Sequence, residues 1–416
     1  MNNLISRRLF VSQILKASLS GSLLICNYVK AGAVDTQHLT IVTLRLSDFG
    51  GIPGITLEKL LNAFDRVFEI LRSTGGGVLQ ILPGYYDLGK YATSQSIINI
   101  YDLKNVFISA YGANFQVTST SAITPLLFFF HNPNNVVIAG ASFVDLGFNK
   151  AAWLSHRRWG MFCVSVDSSY VCSNFKLVDC SAENVTALFN IDSRSHKFKV
   201  RDVVIQDCKV TNAYYGVGAL YHGDNLSVRN LICEDVRRGF ISYGSKNADV
   251  DIKLHCNANF FGSNGFISLA CAGSVEGDVE NVKIKLQVSG VESHSALVHF
   301  YHQQNASLGV IKNIQANVIV NQLTTDGKNT KLSDLNIFRF DHELPDTTVL
   351  KNTARIWDQI VLSGKVTGKI SGKLISAASE PKVQGVLALD DNFYSQADLS
   401  SLVNKFKVKR QSNNIT

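Results

Sequence analysis

Tyr221 and His222 are adjacent, and His299 and Tyr301 lie two residues apart. Imidazole and phenol are side chains that can take or give a proton in a reaction. These four are therefore the candidates for proton transfer. Asp192, Arg339 and Asp341 supply carboxylates and a guanidinium able to hydrogen-bond hydroxyls. A separate loop, Trp153-Leu-Ser-His156-Arg157-Arg158-Trp159, puts two indoles around two guanidiniums, a set that grips an anionic ring through cation–π and bidentate contacts. The structural alternative for this loop is that the Arg stems and Trp rings pack over an edge. For the others it is an ordinary solvated polar face.

Such scattered residues meet only if something stacks them. Three phrases supply the pattern: Leu177-Val-Asp-Cys180, Ile205-Gln-Asp-Cys208 and Asn230-Leu-Ile-Cys233, each followed by a polar turn and a short apolar run. Cys256 continues the series, and the four cysteines are expected in one inward stack. The runs are four to six residues long and rich in Val, Ile and Phe, which makes them strands rather than helices. Repeats of roughly 20–30 residues built from short strands cannot close a core singly and must bury their faces against neighbouring copies. The fold class is all-β, a single right-handed parallel β-helix solenoid with an N-terminal capping helix. At this point the chain resembles the pectin-lyase-like superfamily.

Alternation along one strand of each coil assigns inward pairs: Phe189/Ile191, Gly218/Leu220, Ile241/Tyr243, Ile267/Leu269, Val298/Phe300, Phe338/Phe340 and Leu387/Leu389. One outward column is then Asn190, Ala219, Ser242, Ser268, His299, Arg339 and Ala388. The other is Asp192, Tyr221, Gly244, Ala270, Tyr301, Asp341 and Asp390, with His222 and His302 just beyond. Small residues between Asp, Tyr, His and Arg suggest a groove for an extended ligand. Asn before an apolar pair recurs at Asn105, Asn135, Asn281 and Asn313, because Asn tolerates the left-handed turn and bonds its stacked neighbour.

The first stretch reads as an address. Ser6-Arg7-Arg8-Leu9-Phe10-Val11 resembles the twin-arginine export motif. An apolar region from Ile14 to Val29 follows, then the small-residue site Ala31-Gly32-Ala33. The expected divisions are a signal peptide at 1–33, a β-helix domain at 34–404 with its capping helix at 56–73, and a polar tail at 405–416. Cleavage near Ala33 would leave the protein periplasmic or secreted, with the twin-arginine translocase as its partner during export. The alternative, a membrane anchor, is disfavoured by Lys16 within too short an apolar run. Loss of 1–33 removes four of the 40 basic residues and none of the 33 acidic ones, leaving a net charge of +3. A nearly neutral chain without a basic run is not a nucleic-acid binder. No Cys-x-x-Cys pair exists, so neither a zinc site nor any cofactor is expected, and free buried thiols suit cargo that folds before export.

Asp48-Phe49-Gly50-Gly51 precedes an amphipathic helix. Thr56 is its expected N-cap, one face carries Leu57, Leu60, Leu61, Phe64, Val67, Phe68 and Leu71, and Gly75-Gly76-Gly77 stops it. With the strand ending Leu82-Pro83-Gly84-Tyr85, this is similar to the entry segment of many pectin-lyase-like proteins, where the helix plugs the open coil end. The acidic stretch usual in the family between Gly51 and Thr56 is here Ile52-Pro-Gly-Ile55.

The catalytic signatures of the resemblance are mostly missing. Asp390-Asp391 is the sole Asp pair, and Tyr221-His222-Gly223-Asp224 only echoes the Gly-His-Gly of polygalacturonase-like hydrolases. No carboxylate cluster for a calcium-dependent lyase is visible. The resemblance, together with a layout similar to exported β-helix proteins of colanic acid-type exopolysaccharide clusters, implies a polysaccharide partner. The expected function is production, modification or binding of an exopolysaccharide. A lyase, hydrolase or epimerase using the outward Tyr, His and Asp residues is the alternative, and a tailspike or adhesin module the third. Nothing in the sequence sets an oligomeric state.

Overall fold

The computed structural model describes residues 41–91, 96–120, 125–148, 160–167, 169–192, 200–221, 223–257, 265–271, 278–292, 296–302, 310–325, 335–342, 355–368, 372–377, 383–384, 386–397 and 407–411. Trp153, Arg157, Arg158, Trp159 and His222 lie outside these residues. Of Tyr221 only the backbone is described.

Every pairing in the 26-stranded sheet is parallel, and the chain winds as a right-handed parallel β-helix. One coil shows how the sequence does this. The chain passes through Phe162–Ser165, Cys172–Val178 and the start of Ser181–Asp192, whose end returns beside Phe162–Ser165 one coil on. Inward rings then stack along the axis. Phe128 and Phe162 lie 5.6 Å apart at 9°, and Phe300 and Phe340 4.6 Å apart at 13°, while Phe175 and Phe189 meet across the interior at 5.7 Å. Each fully buried Phe contributes about 1.5–3 kcal/mol.

The corners are held by asparagine. Among the described residues every non-glycine with positive φ is Asn or Asp, except Gln359. One register position carries Asn105, Asn135, Asn174, Asp202, Asn225, Asn247, Asn281, Asn313 and Gln359 in succession, all at φ of 51–56°. Asn135 donates to Asn105 (2.9 Å), Asn281 to Asn247 (2.9 Å) and Asn313 to Asn281 (3.0 Å). The short amide serves both needs: it permits the left-handed turn and satisfies the rung beside it. The ladder persists while coil length changes. Lys209 pairs with Ile232, 23 residues on, Lys253 with Gln287, 34 on, and Ile319 with Lys365, 46 on.

Helix α1 spans Leu57–Ser73 and buries Leu60, Phe64, Val67, Phe68 and Leu71 in the core of the first coils. Phe64 meets Phe128 edge-on at 6.1 Å. Thr56 occupies the N-cap position in extended conformation, but its hydroxyl makes no capping bond.

The cysteines depart from a single stack. Cys180 and Cys208 share a column, while Cys233 pairs with Val210 and Leu254 one inward position further on. Cys256 pairs with Gly290. The 25-residue step from Cys208 to Cys233 meets a coil of 23, and a slip of two keeps a side chain on its face. Cys163, Cys172, Cys180, Cys208, Cys233 and Cys271 are free and buried. The polar tail also contributes: Lys407–Gln411 pairs with Val386–Asp390 as a terminal strand.

Candidate functional site

One outer sheet face gathers the candidate residues. Ala296–His302 lies between Gly265–Cys271 and Asn336–His342. That pairing sets Ser268, His299 and Arg339 in one outward column and Ala270, Tyr301 and Asp341 in the next. The inward neighbours are Ile267, Leu269, Val298, Phe300, Phe338 and Phe340, as alternation requires.

Two coils differ from the sequence alignment by one residue. Phe240 pairs with Ile267 and Ser242 with Leu269, so Ser242 faces in while Ile241 and Tyr243 face out. Gly218 likewise sits beside outward Asn190. Leu387, Ala388 and Leu389 belong to another face, where they pair with Ile360, Val361 and Leu362. Asp390 is therefore no part of the outward column. It caps helix α2, Asp391–Gln396, accepting from the Phe393 amide at 2.8 Å and from the Gly364 amide at 2.9 Å.

His299 is the centre of the cluster and only 8% exposed. Its Nε2 stands 3.8 Å from Asp341 Oδ2, inside ion-pair range but beyond hydrogen-bond reach, and Nε2 makes no hydrogen bond among the described residues. The same Asp341 oxygen accepts from Arg339 Nη2. The Tyr301 ring is 5.1 Å from the imidazole. Burial first, then the Arg339 and Arg238 charges, hold the His299 pKa below its ordinary 6.5, against the opposing pull of Asp341. The imidazole is thus neutral at pH 7.

A second apolar cluster, separate from the core, covers the same face: Ala187, Tyr214, Tyr215, Ile241, Tyr243 and Ala270, with Tyr301 packed against it. The Arg237 guanidinium lies 4.7 Å from the Tyr214 ring centroid, and Arg238 lies 6.0 Å from that of Tyr215. Arg238 is 7% exposed, and burial lowers the Arg237 pKa without removing its charge. Glycines make the space. A Cβ on Gly265 would stand 2.2 Å from His299 Cβ, and one on Gly218 would stand 2.6 Å from the Tyr215 ring.

The sequence reading passed over Tyr214, Tyr215, Arg237 and Arg238 as site residues. The available signal was the doublets Tyr214-Tyr215-Gly216 and Arg237-Arg238-Gly239, whose second members pair across neighbouring coils. Asp192 is not brought to His299. It pairs with Ser165, and from its coil to that of Tyr301 is four steps, about 19 Å at ~4.8 Å per step. Its charge is felt instead by His131. Tyr221 ends its strand opposite Tyr243. Among the described residues no group of three His, Cys, Asp or Glu is placed to hold a metal ion.

No family model matches the chain, and no curated protein matches it. Three solved structures illustrate its likenesses. The surface protein and adhesin PfbA of Streptococcus pneumoniae is 12% identical, with 81% of this chain and 100% of that one covered at a TM-score of 0.43. Endo-xylogalacturonan hydrolase from Aspergillus tubingensis is 13% identical, with 89% and 99% covered at 0.44. The tailspike protein of E. coli bacteriophage HK620, solved with a pentasaccharide, is 11% identical, with 90% and 64% covered at 0.46. Likenesses at these scores carry no argument about this chain's chemistry.

Proposed function

We propose that this is an exported β-helix protein that holds an acidic polysaccharide along its outer sheet face, and that it serves the production, modification or binding of an exopolysaccharide. The observation that carries the reading is that two arginine charges act on a neutral His299. Arg339 and Arg238 both act on its imidazole, and Arg339 pairs with the carboxylate of Asp341 beside it. Such a charge balance suits a uronate carboxylate, and the Tyr faces suit the apolar side of a sugar ring. Export rests on the Arg7-Arg8 motif and the Ala31-Gly32-Ala33 site. Among the described residues no helix is long and apolar enough to cross a membrane.

A second reading, a lyase or epimerase, is favoured by neutral His299 beside Tyr301. In the lyase step, His299 takes the proton from C5 of a uronate whose carboxylate faces the arginines. The electron pair forms the C4–C5 double bond, the C4–O bond breaks, and the leaving oxygen takes the Tyr301 proton. His299 then returns a proton to the tyrosinate through solvent. In an epimerase the proton is replaced at C5 from the other side and no bond to oxygen breaks.

The test uses purified protein with the producing cell's own exopolysaccharide, alginate and polygalacturonate. Retardation of the protein in polymer-containing gels, abolished by Arg339→Ala, supports the binding reading. Ultraviolet absorbance of unsaturated uronate, lost in His299→Gln, supports the lyase, and a changed uronate composition without it supports the epimerase. Wild-type protein that is neither retarded nor active on all three polymers overturns the proposal.

A further inference from the structure

The columns that end at His299 and Asp341 begin, coils earlier, with aromatic rings. Ser96–Tyr101 pairs with Leu126–His131, and the latter with Phe162–Ser165, so that Tyr101, His131, Ser165 and Asp192 continue the Tyr301 column towards the N terminus. Tyr101 is 50% exposed. Its ring stacks face to face on that of His131, 4.6 Å away at 7°, and Phe129 meets His131 at 4.0 Å, so His131 backs Tyr101 and a ligand ring would meet the other face of Tyr101. Beside it opens a cleft of about 440 Å³, lined by Asp65, Glu69, Arg72, Asn99 and Tyr101. This cleft lies at the helix end of the face, away from His299.

We infer that Tyr101 and His131 form a platform for a neutral sugar of the same polymer whose acidic sugar lies at His299; this rests on the function proposed above. The two ends of the face differ in charge. At the platform stand Asp65 and Glu69, and the carboxylates of Asp102, Asp167 and Asp192 are near enough to act on His131, against one arginine in the cleft. At His299 the charges of Arg339 and Arg238 act, with Asp341 beside them. A uronate is repelled at the platform and attracted at the other end, while an uncharged ring can stack on Tyr101 and hydrogen-bond the Asp, Glu and Asn side chains. Burial keeps His131 below its usual pKa, so the stack adds no cation at pH 7. From His131 to Tyr301 is six coil steps, about 29 Å at ~4.8 Å per step, a span of several sugar residues. The ligand is therefore a heteropolysaccharide with neutral and acidic units, lying along the helix axis.

Tyr101 is half exposed, so its removal leaves the core intact. The full-length mature protein is titrated with the producing cell's exopolysaccharide and with xanthan, gellan and polygalacturonate. Tyr101→Ala is expected to weaken binding of the neutral–acidic polymers about tenfold or more and to leave polygalacturonate unchanged. Arg339→Ala is expected to weaken both. If Tyr101→Ala and His131→Ala bind every polymer as the wild type does while Arg339→Ala fails, the platform is overturned and the acidic site stands. If Tyr101→Ala weakens polygalacturonate equally, the neutral-sugar assignment is overturned. Wild-type protein that binds none of the four overturns both readings.

Discussion

Gly265 lies directly against His299: a Cβ at 265 would stand 2.2 Å from His299 Cβ and 3.2 Å from its amide nitrogen. These atoms are fixed to the paired backbone of Ala296–His302 and cannot swing away. Gly265→Ala is therefore expected to displace the imidazole and cost about 1–3 kcal/mol. Thermal unfolding reads the stability loss, and the imidazole resonances of His299 read the displacement. A variant with unchanged melting and unchanged resonances would contradict the packing.

The low pKa of His299 has a pH signature. Its folded value lies below the ordinary 6.5, so as pH falls the unfolded chain takes the proton first. The neutral-His contribution is fully present above about pH 6.5 and is lost as pH drops through that value towards the folded pKa. His131 shifts in the same direction. The fall in Tm between pH 7.5 and 5.5 should be smaller in His299→Gln than in wild type. An equal fall in both would show that His299 titrates normally.

The asparagine ladder predicts an asymmetry between two substitutions. Asn281 holds φ at 56° and donates to Asn247 while accepting from Asn313. Asn281→Ala loses both bonds and forces an alanine into the left-handed region, for about 2–3 kcal/mol. Asn281→Gly removes the bonds but not the backbone freedom, and should cost less. Denaturant unfolding midpoints decide, and equal losses would show the backbone is not the issue.

Asp390 should behave as a cap and nothing more. Asp390→Ala strips two amide partners and is expected to cost about 1–2 kcal/mol, with Asp390→Asn retaining most of the stability. Polymer binding should be unchanged in both. A loss of binding at undiminished stability would return this residue to the ligand face.

The buried thiols should be inert. Burial and the neighbouring Asp202 push Cys172 up to about 12; the hydrogen bond that the Cys208 thiol gives to Cys180, together with burial, raises Cys208, and burial raises Cys233. Thiolate is the reactive form. Iodoacetamide at pH 8, followed by peptide mapping, should leave these three unmodified in folded protein and modify them in denaturant. Labelling of Cys208 in the folded state would contradict its placement.

Much of this architecture was readable from residue pattern. The turn asparagines, the capping helix face and the His299–Tyr301–Arg339–Asp341 neighbourhood follow from period-two alternation and the turn chemistry of Asn. Ser242 shows where the pattern failed. It faces inward, fully buried, and accepts from the Ser245 amide at 3.2 Å, while apolar Ile241 and Tyr243 go outward. Apolar alternation marks the core side only when the other side meets water. Here a second apolar cluster buries the outer face too, so the two registers looked alike. Arg237 and Arg238 were missed for a related reason: their burial comes from tyrosines one coil away, a relation that no local window contains.

The ladder that tolerates coils of 23, 34 and 46 residues makes this fold modular in an unusual direction. Each coil is pinned at its corners, so residues added between rungs can alter the walls beside the sheet face while the floor that carries Tyr101, His131, His299 and Asp341 keeps its spacing. Ligand choice and scaffold stability can then change independently, one by insertion and the other by rung chemistry. The spacing along the sheet face is thus set by the rungs and not by the residues between them.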